Sequence, residues 1–339
     1  MPMGSPLSVA LALRPALREM FLPPPLADRL AAQYHLVLPP AGADPTDPDC
    51  YARLLSDAEV VVTGWGCPPL DARMLAAAPR LRLLAHTGAS VRALVTEASF
   101  ARGVRVTQAG AAMAYAVGEQ ALALTLALLH QLHRFDHALR TGAGWAEAKA
   151  APPRRELRGA RVGVVGASRT GRAYIGLVRA LGAQVSCADP YLSDVDAQSL
   201  GVTRTDLETL LRGCQVVSLH APVLPETVHL LGARELAALP DGAMLVNTAR
   251  AALVDGHALL AELRSGRIVA ALDVFDQEPL PREHPLRGLP NVLLTPHEAA
   301  GTLQSRRRAG EIVLAELDRF AAGAPLEHEV TPALLARMG

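Results

Sequence analysis

The stretch Arg161–Gly171, RVGVVGASRTG, decides how the larger part of this chain folds. Val162 to Gly166 is an apolar, strand-forming run that opens into G-A-S-R-T-G and then, from about Thr170, into a helix-like segment. The two flanking glycines have separate physical reasons. Gly166 permits the tight turn out of the strand, and Gly171 lets the helix pack close to it. The position between them, where a further glycine normally lets backbone approach a pyrophosphate, is Ser168. Asp189 closes the next strand, where an acid hydrogen-bonds a ribose 2′-hydroxyl and repels a 2′-phosphate. With no arginine expected nearby to compensate such a phosphate, the pattern predicts NAD rather than NADP. An ordinary β-α turn is the alternative reading.

Working outward, short apolar runs alternate with helix-like segments along the whole chain, which predicts β-α units and parallel sheets. One series has expected strands near 161 to 166, 184 to 188, 215 to 219, 243 to 247, 268 to 274 and 291 to 295, enough for a six-stranded dinucleotide-binding domain. An earlier series has strands near 7 to 12, 35 to 38, 58 to 63, 81 to 85 and 104 to 107, with Asp71 as the cap of a helix between them. Residues 114 to 140 carry no proline and read as one long helix bridging two domains. A final helix near 303 to 322 is expected to return to the first series. The expected architecture is α/β: two doubly wound parallel-sheet domains, Rossmann-like and flavodoxin-like, with the active site in the cleft between them. The expected boundaries are 1–111 plus 301–339 for the substrate domain and 112–300 for the NAD-binding domain.

Three groups suited to ketone chemistry each follow an expected strand: Arg250 in AMLVNTAR, Glu278 in IVAALDVFDQEP and His297 in NVLLTPH. Ligands of open α/β sheets bind at the carboxyl ends of the strands, so the three could share one site. Hydride transfer to a 2-oxo acid leaves charge on the carbonyl oxygen, which needs a proton and an electrostatic partner. His297 can donate the proton, and a carboxylate at Glu278 would hold the imidazole and favour its cation. Arg250 has the planar fork that matches a carboxylate and carbonyl together.

Composition narrows the alternatives. The 339 residues are 50% hydrophobic with a formal net charge of +0, so no basic field for nucleic acid or an anionic membrane exists as a global feature. Lys149 is the sole lysine and lies in a polar segment, which disfavours Schiff-base chemistry. Cys50, Cys67, Cys187 and Cys214 are scattered, as expected of reduced thiols in a cytoplasmic protein, and no metal site is expected. His130, His133 and His137 read as a helix edge rather than a metal clasp. No address segment is recognised at the amino terminus, and the apolar stretch Ala121–Leu129 is expected to be too short to cross a bilayer.

These stretches together resemble the D-isomer-specific 2-hydroxyacid dehydrogenases, a family that includes glyoxylate/hydroxypyruvate reductases and D-lactate dehydrogenases. The matching segments are 156 to 172, DPY at 189 to 191, SLHAPVLPET at 218 to 227, VNTARAALVD at 246 to 255, ALDVFDQEPLP at 271 to 281 and NVLLTPHEAAGT at 291 to 302. Weaker likeness extends to HTGASVRAL at 86 to 94 and AVGEQALALTLAL at 116 to 128. The resemblance implies reduction of a small 2-oxo acid to a D-2-hydroxy acid, with Arg250 binding substrate, His297 as acid/base and Glu278 as its partner. It also implies that Gly88, Ala89 and Ser90 hold the substrate carboxylate through backbone N–H groups. Arg169, Thr170, Pro222, Thr227, Thr248 and Asp273 are implied as cofactor contacts, and a homodimer around the bridging helix as the assembly. Departures are Ser168 for glycine, Ala251 for the glycine after Arg250, and Ser90 and Arg92 where glycine and aspartate are common.

Trp65, in the loop Gly64–Trp65–Gly66–Cys67 after a strand, is expected either to wall the substrate pocket or to pack beneath its own loop. That loop carries no Lys or Arg, and no extra regulatory domain is recognised, so an unphosphorylated substrate with a neutral side chain is expected. His220 either lines the cofactor cleft or caps a strand. The alternative function is an NAD(H)-sensing regulatory protein of the corepressor type with the same fold.

Overall fold

A computed structural model describes residues 6 to 150 and 152 to 338. By backbone contacts the chain divides into two compact units, one running to Met113 and resuming at Thr302, the other Ala114–Gly301.

The first unit is built on β1 (Ser8–Ala12), β2 (His35–Val37), β3 (Val60–Thr63), β4 (Leu83–His86) and β5 (Arg105–Gln108), ordered β2-β1-β3-β4-β5. All its pairings are parallel, with Ala10 opposite both Val37 and Val61. β1, β3 and β4 are buried along their whole length, which is why they read as unbroken apolar runs rather than alternating ones. Asp71 caps the helix Ala72–Ala77 by accepting from the Met74 N–H. The helix Leu303–Ala321 belongs to this unit. The chain after it is more than a polar tail. Val330 N–H donates to Val106 O, and Arg92 holds the carbonyls of Ala336 and Met338, which gives the arginine at that position a structural reason.

The second unit carries β6 (Arg161–Val165), β7 (Gln184–Ala188), β8 (Thr203–Arg204), β9 (Val216–Leu219), β10 (Met244–Asn247), β11 (Val269–Leu272) and β12 (Val292–Leu294). Its order is β12-β11-β10-β9-β6-β7-β8, again all parallel. The seventh strand, β8, is a correction to the expected six. It is an exposed pair of residues at the sheet edge, beside Ser186 and Cys187, with no apolar run to announce it.

The long helix is also corrected. It breaks into Ala114–Leu129 and Leu132–Arg140, because Gln131 sits in the left-handed region with φ 58. Leu129 O accepts instead from the Arg155 N–H, so the break is filled by a distant backbone donor. Both helices lie within the second unit. The run Gly110–Leu129 has 20 residues and mean hydropathy 1.5, long and apolar enough to cross a membrane by length and composition, contrary to the expectation from its second half. Within the unit that apolarity is accounted for: Ala121, Leu124, Leu128 and Leu129 are buried with Val162, Tyr174, Ile175 and Val246.

Helix packing generates a paired test. A Cβ on Gly118 would lie 2.9 Å from both Ala173 Cβ and the Tyr174 backbone N, whereas one on Gly176 would meet nothing within 4 Å. Gly176→Ala should gain about 0.5–1 kcal/mol from helix propensity, whereas Gly118→Ala should lose about 1–3 kcal/mol by overpacking. Opposite shifts in Tm are the expected result, and a stabilising Gly118→Ala would refute the close packing.

Candidate active site

The loop after β12 owes its shape to one buried acid. Asp273 is fully buried and accepts from Thr295 Oγ1 at 2.5 Å, Glu298 N at 3.1 Å and Ala299 N at 3.0 Å. Between those anchors His297 adopts φ 56, a left-handed conformation that non-glycine residues hold only when their surroundings impose it. The resemblance implied a cofactor contact for Asp273; the structure gives its carboxylate three partners in the His297 loop.

His297 Nδ1 lies 2.6 Å from Glu278 Oε2, and the other carboxylate oxygen accepts from Phe275 N at 2.9 Å. A carboxylate can only accept, so Nδ1 is the protonated nitrogen and Nε2 is the outward, reactive end. Burial raises the Glu278 pKa, but the bonds from His297 and Phe275 N, with the charges of His297 and Arg250, outweigh it and leave the carboxyl below its ordinary value. Burial pushes the Arg250 pKa down as well, partly opposed by the charge of Glu278. Its Nη1 donates to Ala249 O at 2.7 Å, and its backbone is braced by Asn247, whose amide donates to Arg250 O. Ala251 opens a short 3-10 turn, so no glycine is required after the arginine. Arg250, Glu278 and His297 thus come together in one unit, at the carboxyl ends of β10, β11 and β12.

The glycine turn after β6 follows the spacing read from sequence. Gly166 has φ 94, and a Cβ on it would lie 2.6 Å from Ala221 N; one on Gly171 would lie 2.2 Å from Gly166 O. Both positions therefore need glycine. Ser168 has its own reason: it caps the helix Arg169–Ala180, with Oγ accepting from Gly171 N and lying 3.0 Å from Thr170 Oγ1. Asp189 accepts from Ala167 N at 2.7 Å and Tyr191 N at 2.8 Å, which ties the acid to the glycine turn. Beside it is a cavity of about 530 Å³ lined by Asp189, Pro190, Asp194, Arg204 and Leu207, among others. Arg204 corrects the expectation that no arginine lies near Asp189, although it is paired with Asp194 at 3.0 Å. Thr248 Oγ1 is buried without a partner, as a group awaiting a ligand would be. Thr227 instead donates to Pro222 O and accepts from Leu224 N, shaping its own turn. Arg169 is exposed. His220 is wholly internal, bonded to Ser218 and near Thr170, with its ring against Tyr174.

In the first unit, Gly88, Ala89 and Ser90 follow β4, and their backbone N–H groups donate to no other group among the described residues. Three successive free donors are an anion-binding arrangement. A Cβ on Gly88 would lie 2.5 Å from His86 Nε2 and 3.2 Å from Trp65 Nε1, so the glycine is dictated by both rings. Trp65 is 45% exposed and tilted against buried Phe21, ring centroids 5.5 Å apart; it is walled on one side and open on the other. His86, quoted in the sequence only as part of HTGASVRAL, ends β4 by the same strand-end logic. All four cysteines are free and buried.

Residues 122–299, just over half of the chain, match the family model described as the D-isomer specific 2-hydroxyacid dehydrogenase, NAD binding domain. The chain belongs to that family. A glyoxylate reductase of Aeropyrum pernix is 35% identical over 259 residues, covering 75% of this chain and 77% of its own length. A D-3-phosphoglycerate dehydrogenase of Archaeoglobus fulgidus is 33% identical over 262 residues, covering 77% of this chain and 49% of its own. The chain thus spans about half the length of the phosphoglycerate dehydrogenases that it matches. The solved 2-hydroxyacid dehydrogenase of Ketogulonicigenium vulgare aligns over 97% of this chain and 99% of its own, with TM-score 0.80 and 28% identity. The family's NAD-binding domain is the unit that holds Gly166, Gly171 and Asp189.

Two buried imidazoles predict acid sensitivity. Burial drives the His220 pKa down to about 3 and the His86 pKa to about 4. In an unfolded chain both titrate near ~6.5, so below that pH the unfolded state takes protons that the folded state refuses. Their contribution is complete above ~6.5 and is lost as the pH falls toward those lowered values. Tm measured against pH should therefore fall through this window less steeply in His220→Gln than in the unmodified protein; parallel curves would contradict the assignment.

Proposed function

We propose that this protein reduces a small 2-oxo acid to the corresponding D-2-hydroxy acid, reversibly and with NADH. The observation that carries the reading is the His297–Glu278 contact at 2.6 Å on a loop pinned by Asp273, with Arg250 near enough to influence Glu278. Bound NADH supplies the hydride. Arg250 holds the substrate carboxylate and carbonyl oxygen through its remaining N–H groups, and its charge stabilises the oxygen as negative charge develops there. His297 gives that oxygen its proton from Nε2, and Glu278 keeps the ring in the tautomer and direction that this needs. Gly166, Ser168, Thr170, Gly171 and Asp189 fit the dinucleotide, and Thr248 offers it an unpartnered hydroxyl. In the first unit, Gly88, Ala89 and Ser90 offer three free N–H groups to a carboxylate. A cytoplasmic location and a homodimer complete the proposal; exposed Leu132, Leu139 and Trp145 on neighbouring helices are candidate contacts for the second copy.

Substitutions test the roles separately. His297→Ala should lower kcat by about 100-fold to 10,000-fold. Arg250→Lys should raise KM and lower kcat together, because a point charge cannot copy the fork. Both variants should bind NADH as before by fluorescence titration. Loss of NADH binding in either would move that residue out of the substrate role. Asp189→Ala should reduce the NADH-over-NADPH ratio of kcat/KM by at least about 10-fold, the equivalent of 1.4 kcal/mol, since the acid that repels a 2′-phosphate is gone and Arg204 remains. An unchanged ratio would remove Asp189 from cofactor choice. If NADH binds but no 2-oxo acid in a broad panel is reduced, the regulatory alternative takes its place.

A further inference from the structure

The first unit has a topological switch point that the proposed chemistry leaves unassigned. Its sheet order β2-β1-β3-β4-β5 reverses direction between β1 and β3, and ligands of open α/β sheets bind at the carboxyl ends of strands at such a reversal. Arg14 follows β1 and Gly64–Cys67 follows β3, so both stand at that point. Gly66 has φ +89, and a Cβ on it would lie 3.9 Å from Arg14 Nη2, which puts the guanidinium over the glycine loop. Arg14 is exposed and, among the described residues, makes no hydrogen bond or close ion pair. Asp44 is the acid in its field. Its carboxyl is held low first by the Thr46 backbone N–H and hydroxyl and only last by Arg14, and the Thr46 groups occupy its Oδ1.

Spacing suggests what this arginine reads. β1 and β4 are separated by β3 alone, so Arg14 and the free N–H groups of Gly88–Ser90 follow strands whose axes lie roughly 10 Å apart on the same edge of the sheet. A molecule with an acid group at each end meets the guanidinium at one and the free N–H groups at the other, both as charge-assisted hydrogen bonds. Trp65 between them offers an apolar wall. The expectation of a neutral side chain came from the absence of a cation within the Gly64–Cys67 loop; the fold brings one from the neighbouring strand.

We propose that Arg14 is a specificity-determining residue that binds a second anionic group at the far end of the substrate, a terminal carboxylate or a phosphate ester. The inference rests on the reductase reading above. Its test is kcat/KM for oxaloacetate, 2-oxoglutarate and 3-phosphohydroxypyruvate, each divided by that for 2-oxobutyrate, in the unmodified protein, Arg14→Ala, Arg14→Lys and Asp44→Asn. The ratio for at least one two-ended acid should exceed one, fall by about 10-fold to 100-fold in Arg14→Ala, survive largely in Arg14→Lys and rise in Asp44→Asn. Which ratio falls distinguishes a carboxylate from a phosphate. Ratios at or below one throughout, or ratios indifferent to Arg14→Ala, overturn the subsite while leaving the reductase reading intact. No reduction of any acid, 2-oxobutyrate included, overturns both.

Discussion

The carboxylate of Asp273 is the interaction on which the candidate chemistry depends. Fully buried, it is tolerated because Thr295, Glu298 and Ala299 all donate to it. Those three bonds fix both sides of His297 and make its left-handed backbone affordable. Without them the imidazole would have no reason to meet Glu278 at 2.6 Å. Glu278 is in turn fixed by Phe275 N–H, so the imidazole is oriented through a chain of groups that ends in the backbone of the sheet's own strand ends.

The two units share a design at different scales. Each is a parallel sheet whose central strands are buried and mostly apolar, so polar chemistry gathers at the carboxyl ends. In the second unit those ends supply Arg250, Glu278, His297 and the glycine cradle. In the first they supply Arg14, Trp65 and the free N–H groups of Gly88–Ser90.

Much of this was legible in the sequence for physical reasons. Buried parallel strands are largely apolar, so eleven of the strands among the described residues announce themselves, while Thr203–Arg204, exposed at the sheet edge, does not. Gly166 and Gly171 were readable because a side chain at either would collide with backbone. Ser168 looked like a defect and is a helix cap, a role that depends on the direction of a hydroxyl. The break at Gln131 was invisible because neither a glycine nor a proline marks it; the carbonyl it frees, Leu129 O, is satisfied by the N–H of Arg155, distant in sequence. Arg14 and Arg204 were missed because each reaches its neighbour across strands that are distant in sequence.

The central claim is that NADH delivers its hydride to the carbonyl carbon of a 2-oxo acid in this protein. Reduction of pyruvate or a better 2-oxo acid by NADH deuterated at the transferring position, with the product analysed by mass spectrometry and chiral chromatography, tests it most directly. The account predicts a D-2-hydroxy acid carrying one deuterium at C2. An unlabelled product, the L isomer, or NADH bound without any product would contradict it.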